Sequence, residues 1–390
     1  MLATSEQFLK QSLYAPKLPF KKGEIAAFKS APTLTNNQTV PIFVIPPAGS
    51  FDHDAEKVLS PADHIRVFGP RIWEARRDRP VFVDAVYLDD ERHRAAFNVH
   101  PLTALLERAR LNRAKAWPVT SYGRSDDYQA AVAKAHLSNG VPVAIQIRLA
   151  DLGAASLSMR LQNLCNQVSC NPGEAVLLID CGPLFFADQE SEEEFADGLI
   201  QAINQLPNLH DWCQIVLSAT SLGDIQKVKP NQERLFRRSE WHIYRRLVAR
   251  SRELLRRPIF SDYGTEYRED LTPIKARPSA KLNYTTESAY FYVKGENVAT
   301  GGYEAIYSVA EKVAASDHFL GPELSVGDAR LLLLSQRLSP TGNAPTWRWI
   351  CADHHLAVVF GEFRKLYGLQ SVVEAPPLQQ LELFGTTPAK

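Results

Sequence analysis

Two carboxylates stand inside runs that are otherwise apolar, Asp84 in VFVDAV and Asp180 in LLIDCG. A carboxylate buried in a sheet must find donors or change its pKa, so both positions call for a built polar environment. Asp262 in FSDYG is a third carboxylate at a run's end, and Lys21 and Glu24 stand three apart where a helix should begin. Together these five form an acid–base set like those of barrel hydrolases. Lys21 would bind an anion or transfer a proton, Glu24 would orient it, and the three aspartates would serve as acids and bases. An i, i+3 surface ion pair explains Lys21 and Glu24 more cheaply. Alternatively, Asp84, Asp180 and Asp262 would hold the divalent cation of a metal-dependent phosphodiesterase or nuclease.

Candidate ligand-binding groups are Arg148 at the end of its run, Tyr263, Tyr284, Arg348, His354 and His355. Two adjacent histidines on a helix point about 100° apart, so His354 and His355 cannot share a metal without a distant third ligand, and no metal site is assigned. No G-x-S-x-G, G-x-G-x-x-G or P-loop pattern occurs, and Ser218 has ordinary surroundings. The residues therefore name no cofactor.

The elements that must position these groups repeat one theme, an apolar run, a polar break and an amphipathic stretch. The runs span 13–20, 40–47, 81–88, 116–123, 142–149, 175–182, 214–220 and 258–264. Eight strands alternating with helices predict an α/β fold, a (β/α)8 TIM-barrel-like sheet whose strand ends converge on one mouth. The expected organisation is a barrel over 1–265, a C-terminal β-hairpin and helical extension over 266–373, and a flexible tail over 374–390. The hairpin falls at 282–295, and helices are expected at 301–315, 322–338 and 350–367, one of them serving as the eighth barrel helix. A turn carrying Trp347, Arg348 and Trp349 would then set Arg348 over the mouth.

The chain has 390 residues, with 44 Lys and Arg against 44 Asp and Glu. Bulk charge therefore draws it to neither nucleic acid nor an anionic membrane. No apolar run reaches the ~18 residues of a membrane span, and no secretory leader is evident, so a cytoplasmic location is expected. Five cysteines make no disulfide framework. One local surplus remains: residues 233–257 hold nine arginines against three glutamates. Read as one long helix, this stretch suits an acidic protein or nucleic acid. The six acidic residues of 188–197, expected at a helix N-terminus, could instead meet it across a homo-oligomer interface.

Several strings resemble the phage beta-protein family, the "beta family protein". Tyr14, Pro16, Leu18, Lys21, Gly23 and Glu24 resemble its opening block, and FSDYG (260–264) its F-x-D-Y-G block. NYTT and YVKG (283–295) resemble its hairpin, and WRWICADHH (347–355) its W-R and H-H block. Pro19 departs from the pattern, where relatives carry lysine. The resemblance implies a barrel and a setting beside mobile-element and phage-defence genes, not a reaction. The function expected is therefore a barrel enzyme of unstated substrate, or a sensor or binding scaffold, in that setting.

Overall fold

The computed structural model describes residues 5–49, 51–52, 57–89, 98–267, 271 and 279–369. The tail from Glu374 and most of the stretch after Tyr267 lie outside them.

Eight short parallel strands hydrogen-bond in chain order. They are β1 (Lys17–Pro19), β2 (Ile42–Val44), β3 (Val81–Asp84), β4 (Ala116–Ser121), β5 (Val143–Arg148), β6 (Ala175–Pro183), β7 (Gln214–Thr220) and, after an inserted strand β8 (Gln232–Arg237), β9 (Ile259–Ser261). The last strand returns to the first. Ala15 N–H donates to Phe260 O at 2.9 Å and Lys17 N–H to Asp262 O at 2.7 Å, which closes the barrel. The α/β TIM-barrel architecture expected from the sequence is the architecture found.

Strand alternation explains the two apolar cores. Ala15, Ile42, Phe82, Val119, Ala144, Leu178, Val216 and Ile259 fill the lumen. Val83, Ile145, Ile179, Leu217 and Phe260 face outward into the helix layer. With both faces covered, the runs read as nearly continuous apolar sequence. Leu9 of α1 (Ser5–Gln11) joins the lumen core and plugs the N-terminal end. Going up each strand, the next lumen-facing residue is polar at most positions: Lys17, Asp84, Ser121, Gln146, Asp180, Ser218 and Ser261. The barrel is thus dry at its base and polar at its mouth.

The outer ring comprises α2 (Lys22–Ser30), α4 (Pro61–Arg76), α5 (Pro101–Leu111), α6 (Asp126–Asn139), α7 (Leu157–Gln167), α8 (Gln189–Asn204), α9 (Ser239–Ala249) and α13 (Ala344–Tyr367), with a short α3 (Thr33–Asn37) following α2. α13 is the eighth barrel helix, packed on α2 and separated from β9 by a long insertion. The approach is close: a Cβ on Gly23 would sit 2.6 Å from Arg348 Cβ and 2.7 Å from Pro345 O.

The insertion supplies β10 (Ser279–Thr285), β11 (Ala289–Asn297), α10 (Val298–Gly301), α11 (Ala305–Ala314) and α12 (Val326–Ser335). β8, from the loop after β7, pairs antiparallel with β11, so the hairpin becomes a three-stranded sheet. Two barrel loops therefore build one cap.

Two expectations need correction. The Arg-rich stretch is not one helix but β8, α9 and turns, because Phe236 packs on Tyr292 and residues 232–237 hydrogen-bond to β11. Such distant pairing overrides local helical preference. Part of its charge is met within the chain: Arg237 pairs with Glu192 (2.9 Å), Arg246 with Glu193 (2.8 Å) and Asp197 (2.9 Å), and Arg250 with Asp197. The acidic run does start a helix, with Asp188 capping α8. Finally, Trp347, Arg348 and Trp349 lie inside α13, whose start is fixed earlier by Asn343 accepting from Thr346 N–H and by a proline in its first turn.

Candidate functional site: a polar barrel mouth beside a buried clasp

Lys17 on β1 and Asp180 on β6 meet across the upper lumen, Nζ to Oδ2 at 2.6 Å. Gln146 on β5 accepts from Lys17 at 3.2 Å and donates to Asp180 Oδ2 at 3.3 Å. Tyr263, just past β9, donates to Asp180 Oδ1 at 2.6 Å, and the Gly182 N–H donates to the same oxygen at 3.0 Å. Lys17 Nζ also lies 5.3 Å from the Tyr263 ring centre. Burial pushes the Asp180 carboxyl up, but the Lys17 charge and hydrogen bond, the Tyr263 phenol and the Gly182 N–H together hold it below the usual carboxylate range. The Tyr263 phenol is raised well above its ordinary value, first by burial and then by the Asp180 charge. At neutral pH Asp180 is thus a carboxylate and Tyr263 a protonated phenol. The Lys17 and Asp180 side chains are each 10% exposed, so solvent reaches them.

A second network lies outside the strands, sealed under α13. His355 contacts Asp262 Oδ2 and Tyr14 Oη, both at 3.0 Å, and its Nδ1 meets Thr285 Oγ1 at 2.9 Å. Tyr14 donates to Asp262 Oδ1 at 2.5 Å. His354 turns the other way, to Asp328 (3.0 Å) and Thr285 O (2.7 Å), and stacks on Tyr284, which itself donates to Asp328 at 2.7 Å. Deeper still, Arg238 donates to both oxygens of Glu362 at 3.0 and 2.8 Å, and Tyr290 donates to Glu240 at 2.8 Å. Asp262 and His354 are fully buried and His355 is nearly so. Burial, outweighing the Asp262 charge, lowers the His355 imidazole pKa, so the ring is neutral. Its Nε2–H then faces Asp262 and its Nδ1 accepts from Thr285.

Further polar groups border these two. Arg124 spans both oxygens of Asp84 at 3.1 Å. Arg348 pairs with Glu266 at 3.1 Å and stands 3.9 Å from Glu24, while Lys281 also pairs with Glu266. Burial raises the Glu24 carboxyl against the opposing charges of Arg348 and Lys21. Beside this network, cavities of about 30 and 20 Å³ reach Lys281 and Cys351 on one side and Tyr14, Glu24 and His355 on the other. Each has room for about one water, not a substrate. Larger cavities of about 400 and 500 Å³ lie between α5 and α6 and are lined by none of the groups above.

The sequence candidates therefore distribute over three places. Asp84, Asp180 and Arg148 occupy lumen-facing positions at the mouth, joined by Tyr263. Asp262, one residue from the lumen-facing Ser261, faces outward into the clasp with His355, while Tyr284 and His354 join it through Thr285 and Asp328. Lys21, Glu24 and Arg348 belong to the acidic network around Glu266. Asp84, Asp180 and Asp262 are held by Arg124, Lys17 and His355 respectively, and no three His, Cys, Asp or Glu side chains among the described residues converge on a metal position.

Lys17 and Gln146 are the mouth residues that sequence reasoning missed. Their signal was parity, since Ala15, Lys17 and Pro19 alternate on one face and a lysine inside a barrel needs a carboxylate. Position 19, where the resemblance expects lysine, shares that face, so Lys17 supplies an ammonium to the same lumen.

Two solved structures show a distant likeness to this chain. The catalytic domain of a hyperthermophilic chitinase from Pyrococcus furiosus is 10% identical, with a TM-score of 0.38 over 65% of this chain and 84% of its own. Triosephosphate isomerase from Bartonella henselae is 9% identical, with a TM-score of 0.33 over 64% of this chain and 91% of its own. No curated protein matches the chain. The model of the family described as Beta protein matches residues 14–361.

Proposed function

This chain belongs to the Beta protein family, and on that footing we propose that it is an enzyme that binds a small molecule in the barrel mouth and moves a proton there through Asp180 and Tyr263. The observation that carries this reading is the Lys17–Asp180–Tyr263 cluster, formed from residues on or just past three separate strands and reached by solvent. Barrel enzymes place their chemistry at this face. Lys17 holds charge beside the reacting group, Asp180 is the base, and the Tyr263 phenol is the acid. The setting we assign is defence against phage or a mobile element, in the cytoplasm, with which the five unpaired cysteines agree.

A sensor or binding scaffold is the second reading. It is favoured by one fact: both Asp180 oxygens are already filled by donors from Lys17, Gln146, Tyr263 and Gly182. A substrate must displace one of them. The phosphodiesterase or nuclease reading lacks a converged carboxylate set among the described residues.

The test incubates a bacterial small-molecule extract with wild type, Asp180→Asn and Tyr263→Phe, and follows it by untargeted mass spectrometry. A compound consumed by wild type and spared by Asp180→Asn supports the enzyme. Binding without consumption by any of the three favours the scaffold. Plaque counts in a host expressing each variant test the defence setting separately.

A further inference from the structure

The barrel strands carry two cations at lumen-facing positions, Lys17 and Arg148. Lys17 is ion-paired with Asp180. Arg148 is the register partner of Asp180 on the neighbouring strand and shares its face, yet it does not pair with that carboxylate. Asp180 is saturated by its other donors, and the nearby Asp151 accepts from the Arg148 backbone N–H (2.8 Å) and from Arg160 Nη1 (2.6 Å) rather than from the Arg148 guanidinium. Arg124, from the next loop, is spent on Asp84. Arg148 is exposed and belongs to none of the ion pairs among the described residues. Gly123, in the turn after β4, and Gly182, near the end of β6, lie on either side of it and have nothing within 4 Å of where a Cβ would stand, so space is open beside both.

We infer that the mouth takes a small molecule bearing a carboxylate or phosphate group, clamped by the Arg148 fork so that the rest of the molecule reaches Lys17, Asp180 and Tyr263. This deepens, and rests on, the reading of the mouth as the reaction site. A planar guanidinium matches either anion with two parallel N–H bonds, and it needs no rearrangement of the Asp180 cluster to do so. The arrangement separates holding from reacting. One unspent charge fixes the anion, while the saturated cluster beside it is disturbed only by the substrate's reacting end.

The test titrates the full chain with inorganic phosphate and, separately, with succinate by calorimetry at low salt. Wild type should bind at least one of them, and which one distinguishes the two anions. Arg148→Gln should weaken that binding at least tenfold. Arg148→Lys, keeping the charge but losing the fork, should weaken it about threefold. Arg252→Gln, an exposed arginine elsewhere, should leave it unchanged. Asp180→Asn should still bind the anion, so a loss of consumption in Asp180→Asn and a loss of anion binding in Arg148→Gln report on different claims. Absence of binding of either anion to wild type, or equal binding by Arg148→Gln, overturns the inference while leaving the enzyme reading to its own test. If Arg148→Gln melts early, Arg148→Lys carries the comparison.

Discussion

The mouth and the clasp are both built of acids, bases and phenols, but they differ in what surrounds them. Lys17 and Asp180 keep a tenth of their side-chain surface exposed, whereas Asp262, His354 and Arg238 keep none. The clasp also draws on every block that carries the family resemblance. Tyr14 comes from the first, Asp262 from FSDYG, Thr285 from NYTT and His355 from the last. Its connections run from the cap strands to β9 and α13, so it ties an inserted module onto a barrel. A His–Asp–Tyr constellation is thus no sign of chemistry by itself. Access and room decide, and the clasp has neither.

The comparison breaks most visibly at Arg238 and Glu362. Removing the carboxylate leaves a fully buried guanidinium without its partner, which costs about 3–5 kcal/mol. Glu362→Ala should lose that much in denaturant unfolding. A loss below about 1 kcal/mol would mean that water reaches Arg238 and that the clasp is looser than its packing shows.

Acid provides the next separation. The His355 imidazole pKa is lowered by burial, and that of His64 is lowered by burial to about 4. An unfolded histidine titrates near ~6.5, so between that pH and the folded value the unfolded chain binds more protons. Stability from both residues is therefore complete above about pH 6.5 and is lost as pH falls below it; for His64 the loss runs down to about 4 and is worth about 3 kcal/mol at ~1.4 kcal/mol per pH unit. Asp180 and Asp262 are held below the usual carboxylate range, Asp180 chiefly by Lys17 and Asp262 chiefly by His355, against burial. Their contribution is present above about pH 4 and fades only below it. Unfolding free energy should fall in two stages. His64→Gln and His355→Gln should flatten the upper stage, and Asp180→Asn only the lower.

Asp180→Asn should itself cost only about 1–2 kcal/mol at pH 7, since the Lys17 ammonium it strands is partly hydrated and Gln146 still accepts from it. Its effect on consumption of the extract compound should be far larger than that. A loss of stability like that of Glu362→Ala would place Asp180 with the clasp instead.

How far these regions were legible follows from periodicity. All eight barrel strands could be located because apolar runs of strand length alternate with helical stretches, and closure followed from their number. Parity was legible too, but it had to be applied residue by residue. Two steps from Ile259 to Ser261 and Tyr263 stay in the lumen, and the single step to Asp262 leaves it. The adjacent histidines point apart, as neighbours on a helix must, and serve Asp328 and Asp262 on different sides while both reaching Thr285. β8 was hidden because its pairing partner β11 lies some sixty residues on, and a strand made by distant hydrogen bonds leaves little mark on its own composition. Cap contacts such as Tyr284 with Asp328 were invisible for the same reason.

Tyr263→Phe makes the smallest change and divides the mouth most finely. Deleting the hydroxyl removes one of the four donors to Asp180, worth about 1 kcal/mol of stability. If the phenol only holds Asp180 in place, that carboxyl should move back up toward its ordinary value. The acid limb of the pH–rate profile should then shift upward, with a modest loss of maximal rate. If the phenol gives its proton to substrate, the maximal rate should fall by roughly 10²–10⁴-fold at every pH, because no other mouth group replaces it. A variant with unchanged rate and unchanged profile would remove Tyr263 from both roles. The mouth would then retain Lys17, Gln146 and Asp180 as a polar network with solvent at its edge, and its difference from the clasp would be one of exposure alone.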